Sequence, residues 1–448
     1  MRRNNRMLSN TIKQTLKKSL LIGGSSALLL TGVLPGAFIS AKAAAPEVNA
    51  EAYLTLDFET GQILQGTDID TPRGIASMTK MIVEYIVFEE IEAGNLNWDT
   101  EITISEYAYD ISQNYSLSNV PLRNGGKYSL EELYEAMAIY SANGATVAIA
   151  EQIEGTEPDF VNRMRETVES FGVSDAMLYN STGLNNSDLQ GVIYPGSAET
   201  DEKIMSARSI AKIANRIVAD YPEILETASI PKKTFRPDTI DAVDMSNWNW
   251  MLEGLIRERE GVDGLKTGTT EFAGSTFTGT AVENDRRLIT VVMDSGDDNV
   301  TRFIETDKLM DYGFDNFKSE NVTDQWKDIY EYEPLTVVNG REQSVNFETS
   351  EALEMLLALE HSVDENVSYT IEWNKDIVGE EGIEAPFDAG MEVGRLVVNY
   401  DANESGYLEG EGQNSVPLVT SQAVDKANIF IRFWNWLGVQ IDSITNRF

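Results

Sequence analysis

The 448-residue chain contains no cysteine and a single histidine, His361. Without cysteine there is no disulfide, no thiol nucleophile and no thiolate metal site. With one histidine, a Ser-His-Asp triad or a two-histidine zinc site would rest on His361 alone, which argues against histidine-based hydrolysis. Basic side chains are also scarce: 35 Lys and Arg stand against 73 Asp and Glu, a formal net charge of −38. A nucleic-acid binder needs a basic face to displace counterions, so that class is set aside. What is present suffices for packed cores. Hydrophobic residues make up 42% of the chain, with 16 Phe, 17 Tyr and 7 Trp, which excludes disorder as the main state. The length suggests two or three domains.

Residues 1–43 read as a secretory signal. Arg2, Arg3, Arg6, Lys13, Lys17 and Lys18 form a positive start, an apolar stretch follows from Leu20 to Ile39, and Ala41-Lys42-Ala43 offers a small-residue cleavage site. Gly23-Gly24 and Pro35-Gly36 interrupt the stretch and weaken the alternative of an uncleaved membrane helix. The segment carries seven basic and no acidic side chains, so its removal takes the net charge from −38 to −45. Export to an oxidising compartment agrees with the lack of thiols.

Residues 44–318 read as one mixed domain. Ala52–Asp57 is strand-like, Glu59-Thr60-Gly61 turns the chain and Gln62–Leu64 returns it. Helical spacing runs from Met78 to about Ala93, ending at Gly94-Asn95. Ser129-Leu130-Glu131-Glu132 is a capping box opening a helix to about Tyr140. Further helices are expected over Gly144–Ile153 and Ser206–Ala219. Val262–Thr267, Ser275–Val282 and Leu288–Met293 then form an antiparallel meander, followed by a helix over Thr301–Phe317. The first and last strands are placed to join one sheet with helices on its faces.

Residues 319–423 hold 23 acidic and 4 basic side chains and short alternating runs such as Ser368–Trp373 and Arg395–Tyr400, the pattern of a small all-β domain. From 424 to 448, Phe430, Phe433, Trp434, Leu437, Ile441, Ile444 and Phe448 recur at three and four, one apolar stripe of a helix. It is too short of apolar residues to span a bilayer and suits a helix lying on a membrane surface. A helix docked on its own protein or in a dimer seam is the other reading of this stripe.

With histidine unavailable, a serine activated by lysine is the remaining hydrolytic pair. Ser77-Met78-Thr79-Lys80 places both side chains on one face at a helix start, where main-chain N–H groups can receive an oxyanion. The lysine must be neutral to act as a base, which burial and neighbouring cations favour. Taken singly the motif is weak, since Ser209-Ile210-Ala211-Lys212 also matches. Ser141-Ala142-Asn143 shares its S-x-N pattern with Ser112-Gln113-Asn114 and Ser344-Val345-Asn346. Lys266-Thr267-Gly268 occurs once, on an edge-like strand. Its cation and hydroxyl suit a substrate carboxylate, and its glycine permits close approach to the backbone.

In order and context, S-x-x-K at 77, S-x-N at 141 and K-T-G at 266 match the three signatures of penicillin-binding proteins and serine β-lactamases. Together with Pro72-Arg73-Gly74-Ile75-Ala76, Ser181-Thr182-Gly183-Leu184 and Asp263-Gly264-Leu265, the chain resembles the low-molecular-mass D-alanyl-D-alanine carboxypeptidases of Gram-positive bacteria, peptidase family S11, over its whole mature length. The resemblance implies an α/β (α+β) fold, an antiparallel sheet flanked by helices, with an all-β domain and an anchoring amphipathic helix.

On that resemblance, Ser77 attacks the D-Ala-D-Ala carbonyl and forms an acyl-ester, Lys80 accepts its proton and Ser141 relays one to the leaving D-alanine. Asn143 positions the substrate amide. Lys266 and Thr267 bind the terminal carboxylate, with Gly268 between strand and substrate and Arg302 as a further aid. The N–H groups of Ser77 and Thr269 form the oxyanion hole. The expected partners are the peptidoglycan pentapeptide, β-lactams that acylate Ser77 and, through the terminal helix, the outer face of the cell membrane. No cofactor or metal is expected, and His361 is read as a surface residue.

Two other readings are set against this one. A class A β-lactamase would carry E-x-x-L-N, whereas the nearest stretch, Ser181–Asn185, has Ser where Glu would stand. A wall-binding scaffold that has lost activity would not need all three motifs intact.

Overall fold

The structure, a computed structural model, describes residues 45–326, 332–410 and 413–428. The expected signal segment, residues 1–43, lies outside the described residues, as does the expected amphipathic helix from residue 429 onward.

Five antiparallel strands form the central sheet: β1 (Ala52–Asp57), β2 (Ile63–Thr67), β3 (Val262–Thr270), β4 (Gly274–Glu283) and β5 (Arg286–Met293), in spatial order β2-β1-β5-β4-β3. Segments far apart in the chain thus meet where β1 pairs with β5, Leu54 opposite Val291 and Leu56 opposite Ile289. Eight helices accompany the sheet among the described residues of this part: α1 (Lys80–Glu92), α2 (Glu106–Ser112), α3 (Leu130–Tyr140), α4 (Asn143–Glu154), α5 (Glu157–Ser170), α6 (Ala207–Asp220), α7 (Ile224–Ala228) and α8 (Thr301–Asp315).

Strand alternation divides the sheet's two faces. Leu54, Leu56, Ile289 and Val291 share one core with α1, α3, α4, α5 and α6. Phe277 and Ala281 point the other way and pack on Phe303 and Met310 of α8. The expected capping box is complete: Ser129 accepts from the Glu132 N–H and the Glu132 carboxylate accepts from the Ser129 N–H.

The helix expected from Met78 begins differently. Ala76–Thr79 form a 3₁₀ turn and α1 starts at Lys80. A 3₁₀ turn has three residues per revolution, so side chains three apart eclipse. Ser77 and Lys80 are therefore stacked more directly than in an α-helix.

After α8 the described residues are mostly short strands, the first over Phe317–Thr323, with one helical turn over Val363–Asn366. Val367–Trp373 and Glu392–Tyr400 are strands, as their alternation implied, and they pair antiparallel. Val424 and Lys426, assigned from sequence to the amphipathic helix, instead form β-bridges with Phe387 and Gly340. This β part is joined firmly to the sheet. The buried side-chain amide of Gln62 donates to the Leu356 carbonyl at 2.9 Å and accepts from its N–H at 3.0 Å. Leu64, Leu288 and Leu356 pack alongside. No helix among the described residues is long and apolar enough to cross a membrane.

Candidate active site

Lys80 is completely buried beneath the half-buried Ser77. Its Nζ lies 3.0 Å from Ser77 Oγ, 2.9 Å from Asn143 Oδ1 and 2.6 Å from the main-chain oxygen of Thr182. An amide oxygen and a carbonyl oxygen can only accept. A neutral amine would give them its two N–H bonds and leave its lone pair facing the one neighbour able to donate, the Ser77 hydroxyl. Burial holds Lys80 well below the ordinary lysine range, the Lys266 ammonium pushes the same way, and the carboxylates of Glu84 and Glu157 oppose both.

Ser141 terminates α3 with φ at 59°, a left-handed conformation that a residue with a side chain seldom adopts. That bend lets Asn143 open α4 immediately. The Ser141 hydroxyl is buried and meets no protein partner, so it is available to a ligand in the cleft. Asn143 is held at both ends. Its Nδ2 donates to the Ser118 carbonyl at 3.0 Å while its Oδ1 accepts from Lys80.

Strand β3 forms the opposite wall and an open edge of the sheet. Lys266 pairs in register with Thr278, whose hydroxyl reaches Met78 Sδ at 3.2 Å, so both face the serine turn. Burial lowers Lys266 to about 8, against the nearby Glu84 carboxylate and with the help of Arg302. Thr269 stands opposite Ser275, which spends its N–H and C=O on Gly296 and Ser295. The Thr269 N–H therefore belongs to a non-hydrogen-bonded pair and points to the open edge.

Gly268, besides lining the cleft, is packed tightly against its own chain. A Cβ there would come within 2.7 Å of the Ile75 oxygen and 3.1 Å of Ala76 Cβ. The close approach is to the protein's own serine turn. Gly183, at φ +79°, is tighter still, with a Cβ falling 1.9 Å from the Ala76 oxygen.

Arg302 of α8 is buried, and burial brings it down to about 10. One guanidinium nitrogen donates to the Gly268 carbonyl and to Thr269 Oγ1, each at 2.9 Å, while its Nε has no partner. The partners of Lys80 and Arg302 are hydroxyls, an amide and carbonyls, with no carboxylate among them. A cleft of about 160 Å³ opens between these walls, lined by Ser77, Ser141, Thr267, Gly268, Thr269 and Arg302 with Ser118, Trp248 and Asn299.

The eight residues singled out from the sequence thus line this cleft or support its walls. The competing motif matches lie elsewhere. Ser209 lies in the first turn of α6, which Ser206 caps, and its hydroxyl donates to Asp175, while Lys212 pairs with Glu409 at 2.8 Å. Ser112 ends α2 with its hydroxyl on the Tyr109 carbonyl, and Ser344 sits in a β-part strand. His361 is half-buried, its Nδ1 2.8 Å from the Tyr400 hydroxyl, rather than a plain surface residue.

Sequence reasoning quoted Thr182 within Ser181–Leu184 without giving it a role, and it missed Glu84, Glu157, Ser118, Trp248 and Asn299. Thr182 acts through its carbonyl, which no side-chain motif reveals. The Thr156 cap followed by Glu157 and Pro158 in the first turn was a readable start for α5.

An antiparallel sheet between helical layers, with a serine on a tight turn over a buried lysine and a K-T-G strand at the open edge, is the architecture of the penicillin-binding proteins. A family model described as D-alanyl-D-alanine carboxypeptidase matches residues 39–297, and one described as penicillin-binding protein 5, C-terminal domain, matches residues 326–426. The chain belongs to the D-alanyl-D-alanine carboxypeptidase family, serine-type hydrolases of the cell wall.

The D-alanyl-D-alanine carboxypeptidase DacA of Haemophilus influenzae is 28% identical over 402 residues, 89% of this chain and 91% of that one. A peptidoglycan synthesis regulatory factor (PBP3) from Streptococcus pneumoniae superposes with a TM-score of 0.67 at 35% identity, covering 85% of this chain and all of that one. Penicillin-binding protein D2 from Listeria monocytogenes, solved in its ampicillin-bound form, is 27% identical with a TM-score of 0.50, covering 60% of this chain and all of that one.

Proposed function

We propose that this protein removes the terminal D-alanine from peptidoglycan stem pentapeptides through an acyl-ester on Ser77, as part of cell-wall biogenesis and the maintenance of cell shape. The observation that carries this reading is the buried Lys80 amine, 3.0 Å from Ser77 Oγ and bracketed by two obligate acceptors.

Ser77 Oγ attacks the penultimate D-alanine carbonyl and its proton passes to Lys80 Nζ. The developing oxyanion lies against the N–H groups of Ser77 and Thr269. The terminal carboxylate meets Lys266 and Thr267, with Arg302 supporting the strand through Gly268 and Thr269. Asn143 receives the substrate amide. Ser141 hands a proton to the departing D-alanine nitrogen, and water then cleaves the ester to release the shortened peptide. A β-lactam enters by the same route, since its amide carbonyl and carboxylate occupy the dipeptide's places.

The protein is exported, cleaved after about residue 43, and works on the outer face of the membrane, held there by the helix within residues 424–448. Residues 44–318 form the catalytic domain. Residues 319–423 form the β domain, which lifts the cleft towards the wall. Release of D-alanine from a peptide ending in D-Ala-D-Ala, compared between wild type and Ser77→Ala, tests the chemistry. No release above the Ser77→Ala background would sink it.

A further inference from the structure

Behind Lys80 lies a carboxylate that the reaction above does not use. Glu157, first residue of α5, is buried. Its Oε1 accepts from the Ser181 N–H at 3.0 Å and from the Ser181 hydroxyl at 2.6 Å, and its Oε2 accepts from the Tyr107 hydroxyl at 2.8 Å. The next residue is Thr182, whose carbonyl receives the Lys80 amine. Asn180 braces the same turn from within, its Oδ1 accepting from the Gly183 N–H and from Thr182 Oγ1. Gly183 seats the turn against Ala76, beside the nucleophile.

On the reading of Ser77 as nucleophile and Lys80 as base, we propose that Glu157 is a positioning residue for acylation: it anchors the Ser181–Thr182 turn that aims one of the two obligate acceptors at the Lys80 amine. The three donors on its oxygens also show why it is no deacylating base. Its carboxylate is committed to Ser181 and Tyr107 and lies a residue away from the lysine contact, so this is not the glutamate that a β-lactamase would offer to water.

The charge has a second effect. Glu157 favours the protonated form of Lys80, as Glu84 does from α1, while Lys266 on β3 opposes it. Glu157 itself is faced by Lys80, by Tyr107 on α2, by Glu151 on α4 and by Lys203. Removing its charge without its shape therefore makes the lysine easier to deprotonate. In Glu157→Gln the amide oxygen can accept both Ser181 donors and the amide nitrogen can donate to Tyr107, so the turn is kept.

The test is the second-order rate of acylation by a fluorescent penicillin across pH, using the full chain. Wild type and Ser77→Ala come first, because a wild type that does not acylate refutes the catalytic reading itself. Given acylation, Glu157→Ala is expected to be slower at every pH by roughly tenfold or more. Glu157→Gln should recover most of that rate, with its acidic limb moved to lower pH by about half a unit. Circular dichroism gives the folded fraction. A Glu157→Ala protein that acylates at the wild-type rate, or whose loss equals its unfolded fraction, overturns the proposal. So does a Glu157→Gln limb that coincides with the wild-type limb.

Discussion

Replacing Lys266 by methionine should weaken catalysis and strengthen the fold at once. The side chain is 3% exposed and its amine falls from an ordinary 10.5 to about 8, mainly because burial penalises the charge. Below pH 8 the amine is protonated in both folded and unfolded chains. The folded state therefore bears a penalty on the order of 3 kcal/mol, the free-energy equivalent of that displacement. Methionine fills similar space without charge.

The gain will be smaller than the full penalty because Glu84, itself raised to about 7 by burial, loses a neighbouring cation and must take up a proton. We expect Lys266→Met to be more stable by roughly 1–3 kcal/mol at pH 7 in urea unfolding. Between pH 8 and 10.5 the folded wild type sheds this proton while the unfolded chain keeps it. Wild-type stability then rises with pH and the gap closes.

The same substitution removes the charge-assisted contact proposed for the substrate carboxylate, with an expected cost of about 1.5–3 kcal/mol or roughly 10- to 150-fold in kcat/KM for D-alanine release. The acidic limb of the profile should also move to higher pH, because the ammonium that helped keep Lys80 neutral is gone. A variant no more stable than wild type at pH 7, with unchanged turnover and an unmoved limb, would refute the account of Lys266 as a strained cation retained for its anion.

Gly183→Ala should lower penicillin acylation by roughly a hundredfold or more, since its Cβ would overlap the Ala76 oxygen and displace the turn bearing Ser77; stopped-flow fluorescence reads this, and near-normal acylation would contradict it. Gln62→Ala leaves the Leu356 N–H and C=O without their side-chain partner at a buried junction. It should cost about 2–4 kcal/mol and split denaturant unfolding into two transitions, whereas a single unshifted transition would show the junction to be unimportant. Truncation after residue 423 should release the exported protein from sedimented membranes, and a truncated chain that still sediments fully would contradict anchoring by the terminal helix. That cut also removes the bridges from Val424 and Lys426 to the β part, so a companion truncation after residue 428 separates loss of anchoring from loss of packing.

Local patterns carried much of the fold. The capping box at Ser129 and the meander from Val262 are short-range chemistry, and the structure follows them closely. The pairing of β1 with β5 was legible because one mixed domain needs its terminal strands to share a sheet. The 3₁₀ turn at Ala76–Thr79 was not, because what imposes it is tertiary: Ala76 is pinned between Gly268 on one side and Gly183 on the other. Neither glycine announces its partner in the sequence.

The site divides along the same line. The side chains proposed to do the chemistry, Ser77, Lys80, Ser141 and Lys266, sit in spaced motifs. Other groups that set the state of the lysine do not. Thr182 contributes only a carbonyl, Glu84 is hidden among the apolar positions of α1, and Glu157 lies 77 positions from Lys80 in the chain. A motif identifies the atoms that react. The proton inventory around them also depends on contacts distant in sequence, so burial and a neighbouring cation were expected around the lysine while the carboxylates that oppose them were not.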